Sequence, residues 1–385
     1  MIKTLQDLRP VYVVGIGLHR YQRIGDTSFV QLGLTAVRAA LDDARLTWPD
    51  IDHVYTGTAT SGMAVSRPIL KHLGVTGIPM TQIENASASG SSAVRLAAIT
   101  VASGLSDASL ALGVDKGFQL LNSASRTGVS GLADHRIPPP AHFALLASEY
   151  IDTYGATPAQ LAAVAVKNHR NGALNPYAQR QKVRTLEEVM ADAPIAGVLT
   201  RLQCCPIGEG AAAAILVSED AIERCGLDRS RCVRVASSAQ FSEELYGARS
   251  FDAELTRRTT RQAMAEADIR PEDLDLVELH DAFTIEELQY VEAMGLCAEG
   301  DAAAEIAAGA FDIGGRTAVS ASGGLIAMGH PTGPTGVGQV VEITRQLRGE
   351  AGARQQPEAR WGLAHMVGLG AVCVAHVLEA PEGRH

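Results

Sequence analysis

The sequence predicts a mixed α/β protein made of two similar halves with an insertion between them. Residues 40–54 (ALDDARLTWPDIDHV) and 263–277 (AMAEADIRPEDLDLV) repeat one pattern: an amphipathic helix, a proline-containing turn and a strand. The tetrapeptide SASG occurs at 87–90 and again at 320–323, each time ahead of a helical pattern. Such repetition indicates duplicated strand–helix units. We expect a first half from 1–117 with 201–230, an insertion at 118–200 and a second half at 231–385.

Short apolar runs predict the strands. Residues 11–17 (VYVVGIG), 110–114 (LALGV) and 212–217 (AAAILV) have the length and composition of buried strands, and 364–377 reads as two strands about a glycine turn.

Composition narrows the function classes. The 385 residues carry a formal net charge of −10, which argues against a general nucleic-acid binder. The apolar run at 211–217 is too short to cross a bilayer, and the N-terminus lacks the apolar region of a signal peptide. No CxxC pair and no zinc-like spacing occurs among the six cysteines. We therefore expect a cytoplasmic protein with free thiols, no metal site and no membrane span.

The insertion reverses the charge of the chain. Residues 120–185 contain seven basic and three acidic side chains. An electrostatic patch for one anionic ligand, such as a nucleotide-phosphate tail, would explain this reversal. A solvated surface of long helices explains it equally well. The basic residues are Arg126, Arg136, Lys167, Arg170, Arg180, Lys182 and Arg184.

Ser87 is the first candidate for chemistry, because it lies among small residues at the predicted start of a helix. The amide hydrogens and positive dipole end of a helix N-terminus favour a nucleophile placed there. A serine does not ionise and would need a base. From the local pattern alone, Ser87 is as well explained as a helix N-cap.

Three histidines lie at predicted loops. His330 is bracketed by five glycines in GGLIAMGHPTGPTG, so that a substrate could approach it closely, although a structural turn is the alternative. His280 follows the strand at 276–279, and strand ends are where open α/β sheets bind ligands. His365 precedes a glycine turn, MVGLGA, whose backbone amides could stabilise an oxyanion.

Together these motifs resemble the thiolase superfamily over nearly the full chain. The match lies in NASASG at 85–90, HDAF at 280–283, GHPxGxTG at 329–336 and VGLG at 367–370. The branch that it resembles most is that of the sterol-carrier-protein-type thiolases and their archaeal and bacterial relatives. The resemblance implies the thiolase fold, with two duplicated βαβαβαββ halves and an inserted loop domain. It also implies an acyl-CoA C-acyltransferase of lipid or aromatic-acid metabolism that forms or cleaves a carbon–carbon bond in a β-ketoacyl-CoA.

The resemblance also implies roles for individual residues. Ser87 stands where the family has its acylated cysteine, and His330 matches the histidine that activates it. His280 would position a water in one oxyanion hole, and the backbone amides of Ser87 and Gly368 would form the other. Two further family cysteines, both acid/base groups, correspond to Met366 and Ala282 here.

Coenzyme A is the co-substrate that the resemblance implies, with no covalently bound cofactor. The family binds it at the insertion, and we expect contacts from Phe143, His169, Arg170 and Lys182. The segment 199–212 resembles thiolase-like subunits that pair with a small OB-fold, zinc-ribbon protein. The family is also usually dimeric or tetrameric.

The serine at position 87 leaves several explanations open, because serine is much harder to ionise than a cysteine. The chain could be an altered thiolase that traps its acyl-CoA, an enzyme for non-covalent retro-aldol cleavage of a β-hydroxyacyl-CoA, or a catalytically silent acyl-CoA-binding subunit. The two retained histidines favour the first. The related retro-aldolases use tyrosines near the C-terminal turn, which here has none. A ketosynthase acting on carrier-protein substrates is disfavoured by the Gly-His-Pro motif.

Overall fold

A ten-stranded mixed sheet organises the protein. The computed structural model describes residues 4–117, 137–244, 251–368 and 371–383. The predicted strands are confirmed; those at 11–17, 110–114 and 212–217 extend beyond their apolar runs, whereas the strand predicted at 276–279 ends at residue 278. The strands of the large sheet are β1 Val11–Gln22, β2 His53–Gly57, β3 Met80–Ile83, β4 Ala108–Asp115, β7 Glu209–Ser218, β8 Val233–Ser242, β9 Leu276–Glu278, β10 Ala318–Val319, β11 Trp361–Gly368 and β12 Val372–Glu379. A separate small hairpin is formed by β5 Pro194–Ala196 and β6 Leu199–Thr200.

Helices lie between most of these strands along the chain. The α-helices within the described ranges are α1 Phe29–Ala44, α2 Ser66–Leu70, α3 Ser89–Ala102, α4 Pro139–Tyr154, α5 Pro158–Ala173, α6 Leu186–Met190, α7 Glu219–Cys225, α8 Phe251–Glu266, α9 Thr284–Ala293, α10 Ala302–Ala307, α11 Gly324–Met328 and α12 Thr335–Arg348. None of them combines the length and the apolar character that a bilayer span requires.

The strand order shows the predicted duplication. One half runs β3-β2-β4-β7-β1, and the other runs β10-β9-β11-β12-β8. In each half the first three strands are parallel and the next two are antiparallel to their neighbours. The halves meet where β1 pairs with β8, Tyr12 opposite Arg234 and Val13 opposite Val233. The expected fold, two duplicated α/β halves, is therefore confirmed.

The repeated sequence segment has a repeated structure. Helices α1 and α8 are each followed by a residue in the left-handed region, Arg45 and Asp268, both with φ 56°. After a 3-10 turn, the carboxylate of Asp52 accepts the backbone N–H of Ala108 at 3.0 Å, and that of Asp275 accepts the N–H of Trp361 at 2.8 Å. Each aspartate thus connects the turn to the first residue of a neighbouring strand. The sequence echo therefore preserves a turn that aligns two strands.

Helix α1 illustrates how the sequence determines these elements. The Ser28 hydroxyl accepts the N–H of Gln31 while the Gln31 side chain returns to the Ser28 backbone, a capping box. Apolar residues recur at helical spacing and bury one face of the helix against the sheet. Gly17 of β1 has no side chain because a Cβ there would overlap the backbone carbonyl of Ala36.

The core is layered. Helices α3 and α12 form a central layer with the inner faces of β1, β7 and β8, using residues such as Val94, Ala98, Val340 and Val341. Helices α1 and α2 cover the outer face of the first half. Because α3 and α12 share one layer, the start of α3 at residue 89 and the start of α12 at residue 335 come together.

The described part of the insertion packs onto the second half. Helices α4 and α5 share one hydrophobic cluster with α8, α9 and β12. Lys167, on α5, is 3% exposed in its side chain and pairs with Glu287 at 3.0 Å.

The predicted basic patch is not present as one surface. Lys167 is buried, and Arg180 donates to the backbone carbonyls of Cys204 and Ile326, each at 2.9 Å. Arg126 and Arg136 lie outside the described residues. The net charge of the segment could not show that Lys167 and Arg180 bind groups inside the protein.

Candidate functional site

A strained turn presents Ser87. Between β3 and α3 the backbone of Ala86 has φ 48°, a left-handed conformation that costs a non-glycine residue about 1–3 kcal/mol. The Ser89 hydroxyl holds this turn, donating to the Ala86 carbonyl at 2.6 Å and accepting the Asn85 N–H at 2.9 Å. Ser87 comes two residues before the helix and is 8% exposed. It is therefore not the N-cap, a position taken by Ala88.

Ser87 contacts His330 directly. Its Oγ lies 3.0 Å from His330 Nε2, while His330 Nδ1 lies 2.9 Å from the Thr335 hydroxyl. That hydroxyl donates its own hydrogen to the Pro331 carbonyl at 2.6 Å, so it accepts from Nδ1–H. This network assigns the tautomer with the proton on Nδ1. His330 Nε2 consequently offers its lone pair to the Ser87 O–H.

His330 is neutral in this setting. Burial, with a smaller contribution from His280, holds the pKa of His330 well below its ordinary value. An imidazole that stays unprotonated near neutral pH is available as a base.

His280 is oriented by an acid. Its Nδ1 lies 2.8 Å from Glu286 Oε1, and the same carboxylate accepts the Phe283 N–H at 2.9 Å and the Tyr290 hydroxyl at 3.1 Å. The residue is 7% exposed, yet its Nε2 has no hydrogen-bond partner within the described ranges. Because a buried unpaired nitrogen is costly, this atom indicates a position for a ligand or water oxygen.

The two imidazoles are neighbours. The rings of His280 and His330 meet edge to face with centroids 5.4 Å apart. The structure thus brings Ser87, His280 and His330 to one place, at the ends of β3, β9 and the loop before α12.

Gly368 lies beside the Ser87 turn. A Cβ at Gly368 would overlap the Asn85 carbonyl and approach the Ala88 side chain at 3.3 Å, so only glycine allows β11 this close to residues 85–88. Leu369 and Gly370, the rest of the predicted motif, lie outside the described residues. Met366 is fully buried in a small cluster with Ala88 and Val374, and a thioether cannot transfer a proton.

His365 supports the site from the interior. It is fully buried, its Nε2 lies 2.9 Å from the Thr256 hydroxyl, and its Nδ1 accepts the His280 N–H at 3.4 Å. Burial lowers the pKa of His365 to about 3, with a smaller contribution from His280. His365 therefore stays neutral and positions the backbone of His280.

The four residues expected to bind coenzyme A do not lie in one environment. Arg170 and Lys182 reach the surface, paired with Asp312 at 2.6 Å and Glu188 at 3.3 Å. Phe143 stacks on Phe283 of the HDAF motif with ring centroids 4.5 Å apart.

His169 requires a correction. It is 0% exposed and its Nε2 lies 3.3 Å from the Leu202 carbonyl, and burial lowers its pKa to about 4. A ring enclosed in this way packs the insertion against the segment at 199–206 and has no surface to offer a nucleotide.

Two residues of the site were not assigned roles from the sequence. Thr335 lies within the motif at 329–336 and Glu286 lies in the first helical turn after HDAF. In a sequence, an acid in the first turn of a helix ordinarily indicates a capping role. Glu286 has this role and also orients His280, and the second role is visible only from distances in the folded structure.

No cluster of three or more His, Cys, Asp or Glu side chains suited to a metal ion occurs in the described ranges.

Comparison with protein families gives two matches. The family described as Thiolase, N-terminal domain, matches residues 16–184, and Thiolase C-terminal domain-like matches residues 238–379. Among curated proteins, sterol carrier protein 2 of Oryctolagus cuniculus is 34% identical over 97% of this chain and 72% of its own length. Acetyl-CoA acetyltransferase of Methanothermobacter thermautotrophicus is 35% identical over 96% of this chain and 99% of its own. Benzoylsuccinyl-CoA thiolase subunit BbsB of Thauera aromatica is 34% identical over 94% and 95%.

Solved structures share the fold. A structure titled Ltp2-ChsH2(DUF35) aldolase superposes with a TM-score of 0.84 at 24% identity, covering 97% of this chain and 99% of that one. Human mitochondrial 3-ketoacyl-CoA thiolase gives 0.74 at 16% identity over the same shares.

Proposed function

Because the chain belongs to the thiolase family, we propose that it acts on β-ketoacyl-CoA, cleaving or forming a carbon–carbon bond with Ser87 as acyl acceptor. The single observation that supports this most is the contact of 3.0 Å between Ser87 Oγ and the unprotonated Nε2 of a neutral His330. A hydroxyl becomes an effective nucleophile only beside such a base.

The first half-reaction follows from the tautomer. Ser87 Oγ attacks the β-carbonyl carbon while its proton passes to His330 Nε2. Thr335 Oγ1 continues to accept from Nδ1–H and so holds the imidazolium in place. The amides of Ser87 and Gly368 would stabilise the oxyanion.

Cleavage then releases a shorter acyl-CoA enolate. The bond between its α and β carbons breaks, leaving an acyl ester on Ser87 and negative charge on the enolate oxygen. Because Glu286 accepts from His280 Nδ1–H, the Nε2 of His280, which is unpaired in the described ranges, would accept one hydrogen of a water, and the other hydrogen of that water would stabilise the enolate oxygen. The coenzyme A thiol then attacks the ester, His330 Nε2 returns its proton to the departing Ser87 Oγ, and the enolate gains the proton that the thiol loses. Phe143, Arg170 and Lys182 remain candidates to contact coenzyme A.

The test exchanges the nucleophile. Ser87→Cys should raise thiolysis of acetoacetyl-CoA by about tenfold or more, because a thiolate forms far more readily than an alkoxide. Ser87→Ala is the matched control, since it removes the acyl acceptor and keeps both histidines.

Mass spectrometry after incubation with acetoacetyl-CoA should find an acetyl group on Ser87. The proposal fails if Ser87→Cys and the parent are equally inert at matched folding. Reversible binding of the CoA ester without any adduct would instead identify an acyl-CoA-binding subunit.

A second candidate is retro-aldol cleavage of a β-hydroxyacyl-CoA. The favouring observation is that Ser87 cannot ionise readily, whereas His330 Nε2 could equally take a proton from a substrate hydroxyl. One structural neighbour is titled an aldolase, but at this level of sequence identity the similarity shows only a shared fold. Ser87→Ala separates the candidates, because retro-aldol cleavage should survive this change and acyl transfer should not.

We also propose assembly with further subunits. BbsB is by its name a subunit, and the chain segment at 199–206 that resembles partner-binding thiolases contacts the HDAF loop, with Cys205 N–H donating to the Ala282 carbonyl at 2.8 Å. The expected complex is a homodimer or larger, with a small OB-fold, zinc-ribbon protein. Light scattering of the pure chain and co-purification followed by zinc analysis test the two parts separately.

A further inference from the structure

Cys204 and Cys205 lie against the catalytic HDAF loop as a short antiparallel pair. Cys204 is bridged to Phe283, and the Cys205 N–H donates to the Ala282 carbonyl at 2.8 Å. In this arrangement Cys205 stands opposite Ala282 and Cys204 opposite Phe283. Side chains of an opposed pair share one face, with Cβ atoms about 4.5–5.5 Å apart, and adjacent residues face opposite ways.

The two thiols therefore have different surroundings. Cys204 is buried and its Sγ donates to the Thr200 carbonyl at 3.3 Å. Cys205 is partly exposed. Its side chain shares a face with that of Ala282, which is only a methyl group.

The Cys205–Ala282 pairing places this thiol beside the segment that carries His280. Glu286, the carboxylate that accepts from His280 Nδ1, is also the largest charged contribution to the raised pKa of the Cys205 thiol. The opposite ring nitrogen, His280 Nε2, is buried, without a partner in the described ranges, and two residues from Ala282.

We propose that Cys205 is the proton donor that protonates the α-carbon of the departing acyl-CoA enolate. This inference rests on the proposed cleavage of a carbon–carbon bond in a CoA thioester, and it holds for both retro-Claisen and retro-aldol cleavage because each releases that enolate.

The step balances within the site. The enolate's electron pair forms a C–H bond with the Cys205 proton, leaving a thiolate and a neutral acyl-CoA. In thiolysis the incoming coenzyme A thiol then gives its proton to the Cys205 thiolate as its sulfur attacks the Ser87 ester. Burial and the Glu286 carboxylate raise the pKa of the Cys205 thiol, so it carries the proton that it must donate.

Deuterium exchange isolates this step. In D₂O, the parent should exchange the methyl protons of acetyl-CoA, and Cys205→Ala should lower that rate by about tenfold or more. Acetylation of Ser87 by acetoacetyl-CoA precedes protonation of the enolate, so the acetyl group on Ser87 should still form in Cys205→Ala. Cys204→Ala is the matched control and should exchange at the parent rate.

A transplanted thiol distinguishes chemistry from packing. Because Ala282 opposes Cys205, the double variant Cys205→Ala with Ala282→Cys should recover exchange. Parent-rate exchange in Cys205→Ala, or equal loss in Cys204→Ala, would overturn the proposal.

Alkylation tests the position of the thiol even if turnover is absent. In a Cys204→Ala background, acetoacetyl-CoA should slow iodoacetamide modification of Cys205, read by peptide mass spectrometry with exposed Cys225 as reference. Modification of Cys205 at the same rate with and without acetoacetyl-CoA would contradict the inference. Failure of Ser87 acetylation alone would count against the proposed function and leave these readouts to decide on Cys205.

Discussion

The two halves share one backbone plan but contribute different chemistry to the site. Asp52 and Asp275 perform the same structural task, each accepting the N–H of a strand's first residue. The first half supplies the hydroxyl of Ser87 from a strained turn, whereas the second supplies both imidazoles, His280 and His330. The duplication is thus preserved where strands must be aligned and has diverged where the halves meet.

The two halves therefore allow residues that maintain the fold to be distinguished from residues proposed to carry the chemistry. A side chain that acts through local backbone geometry should matter equally in both halves. A side chain that acts across the central layer should have no counterpart.

Replacing His330 should affect the reaction most. His330→Ala removes the base that contacts Ser87 and should lower acetoacetyl-CoA cleavage by about 10²–10⁴-fold. The Ser87→Cys background provides a measurable starting rate. Activity within a few-fold of that background, in a variant of unchanged melting temperature, would refute the role of His330 as base.

His376, a buried histidine that contacts both halves, should lower the free energy of unfolding as the pH becomes acidic. His376 Nδ1 lies 2.9 Å from the Ser238 hydroxyl and its Nε2 lies 3.1 Å from the Ser91 carbonyl. Burial, with a smaller contribution from Arg95, lowers the pKa of His376 to about 3. Below about pH 6.5 the unfolded chain binds a proton here and the folded protein does not, so folding stability falls as pH decreases.

Urea denaturation of the parent and His376→Gln at pH 7 and pH 5 measures this effect. Between these pH values the parent should lose about 2 kcal/mol more of its unfolding free energy than the variant. His72→Gln, which alters an exposed histidine, should follow the parent. Identical pH dependence in parent and His376→Gln would show that His376 is not held neutral.

The tautomer of His330 should depend on Thr335. Thr335→Val removes the acceptor for Nδ1–H and should reduce the kcat/KM of acetoacetyl-CoA cleavage by about tenfold, equivalent to about 1.4 kcal/mol. Thr335→Ser retains the hydroxyl and should stay near the parent value. An equal loss in both variants would indicate that the threonine methyl, and hence packing, is what matters.

Replacing Asp52 or Asp275 should have the smallest effect, a loss of unfolding free energy of similar size in the two halves. Asp52→Ala and Asp275→Ala should each lower the unfolding free energy by about 1–2 kcal/mol, because each leaves strand N–H groups without their acceptor. Activity at saturating substrate should not change. A large loss of turnover in only one variant would break the comparison between the halves.

The sequence alone determined the duplicated plan and the identity of the three central side chains. The repeat at 40–54 and 263–277 is visible because capping, left-handed turns and strand alignment depend on neighbours close in sequence. Small residues flank Ser87, glycines flank His330, and His280 follows an apolar strand, so these local patterns are readable without the fold.

The tertiary structure decided which atoms meet. The proton on His330 Nδ1, the acid that orients His280 and the burial of His169 and Lys167 depend on residues far apart in the chain. Net charge and motif spacing do not record whether a cation faces water or a buried carboxylate. Cys204 and Cys205 are identical residues at adjacent positions, and only their pairing with Phe283 and Ala282 distinguishes them, because neighbouring side chains of an extended segment face opposite ways.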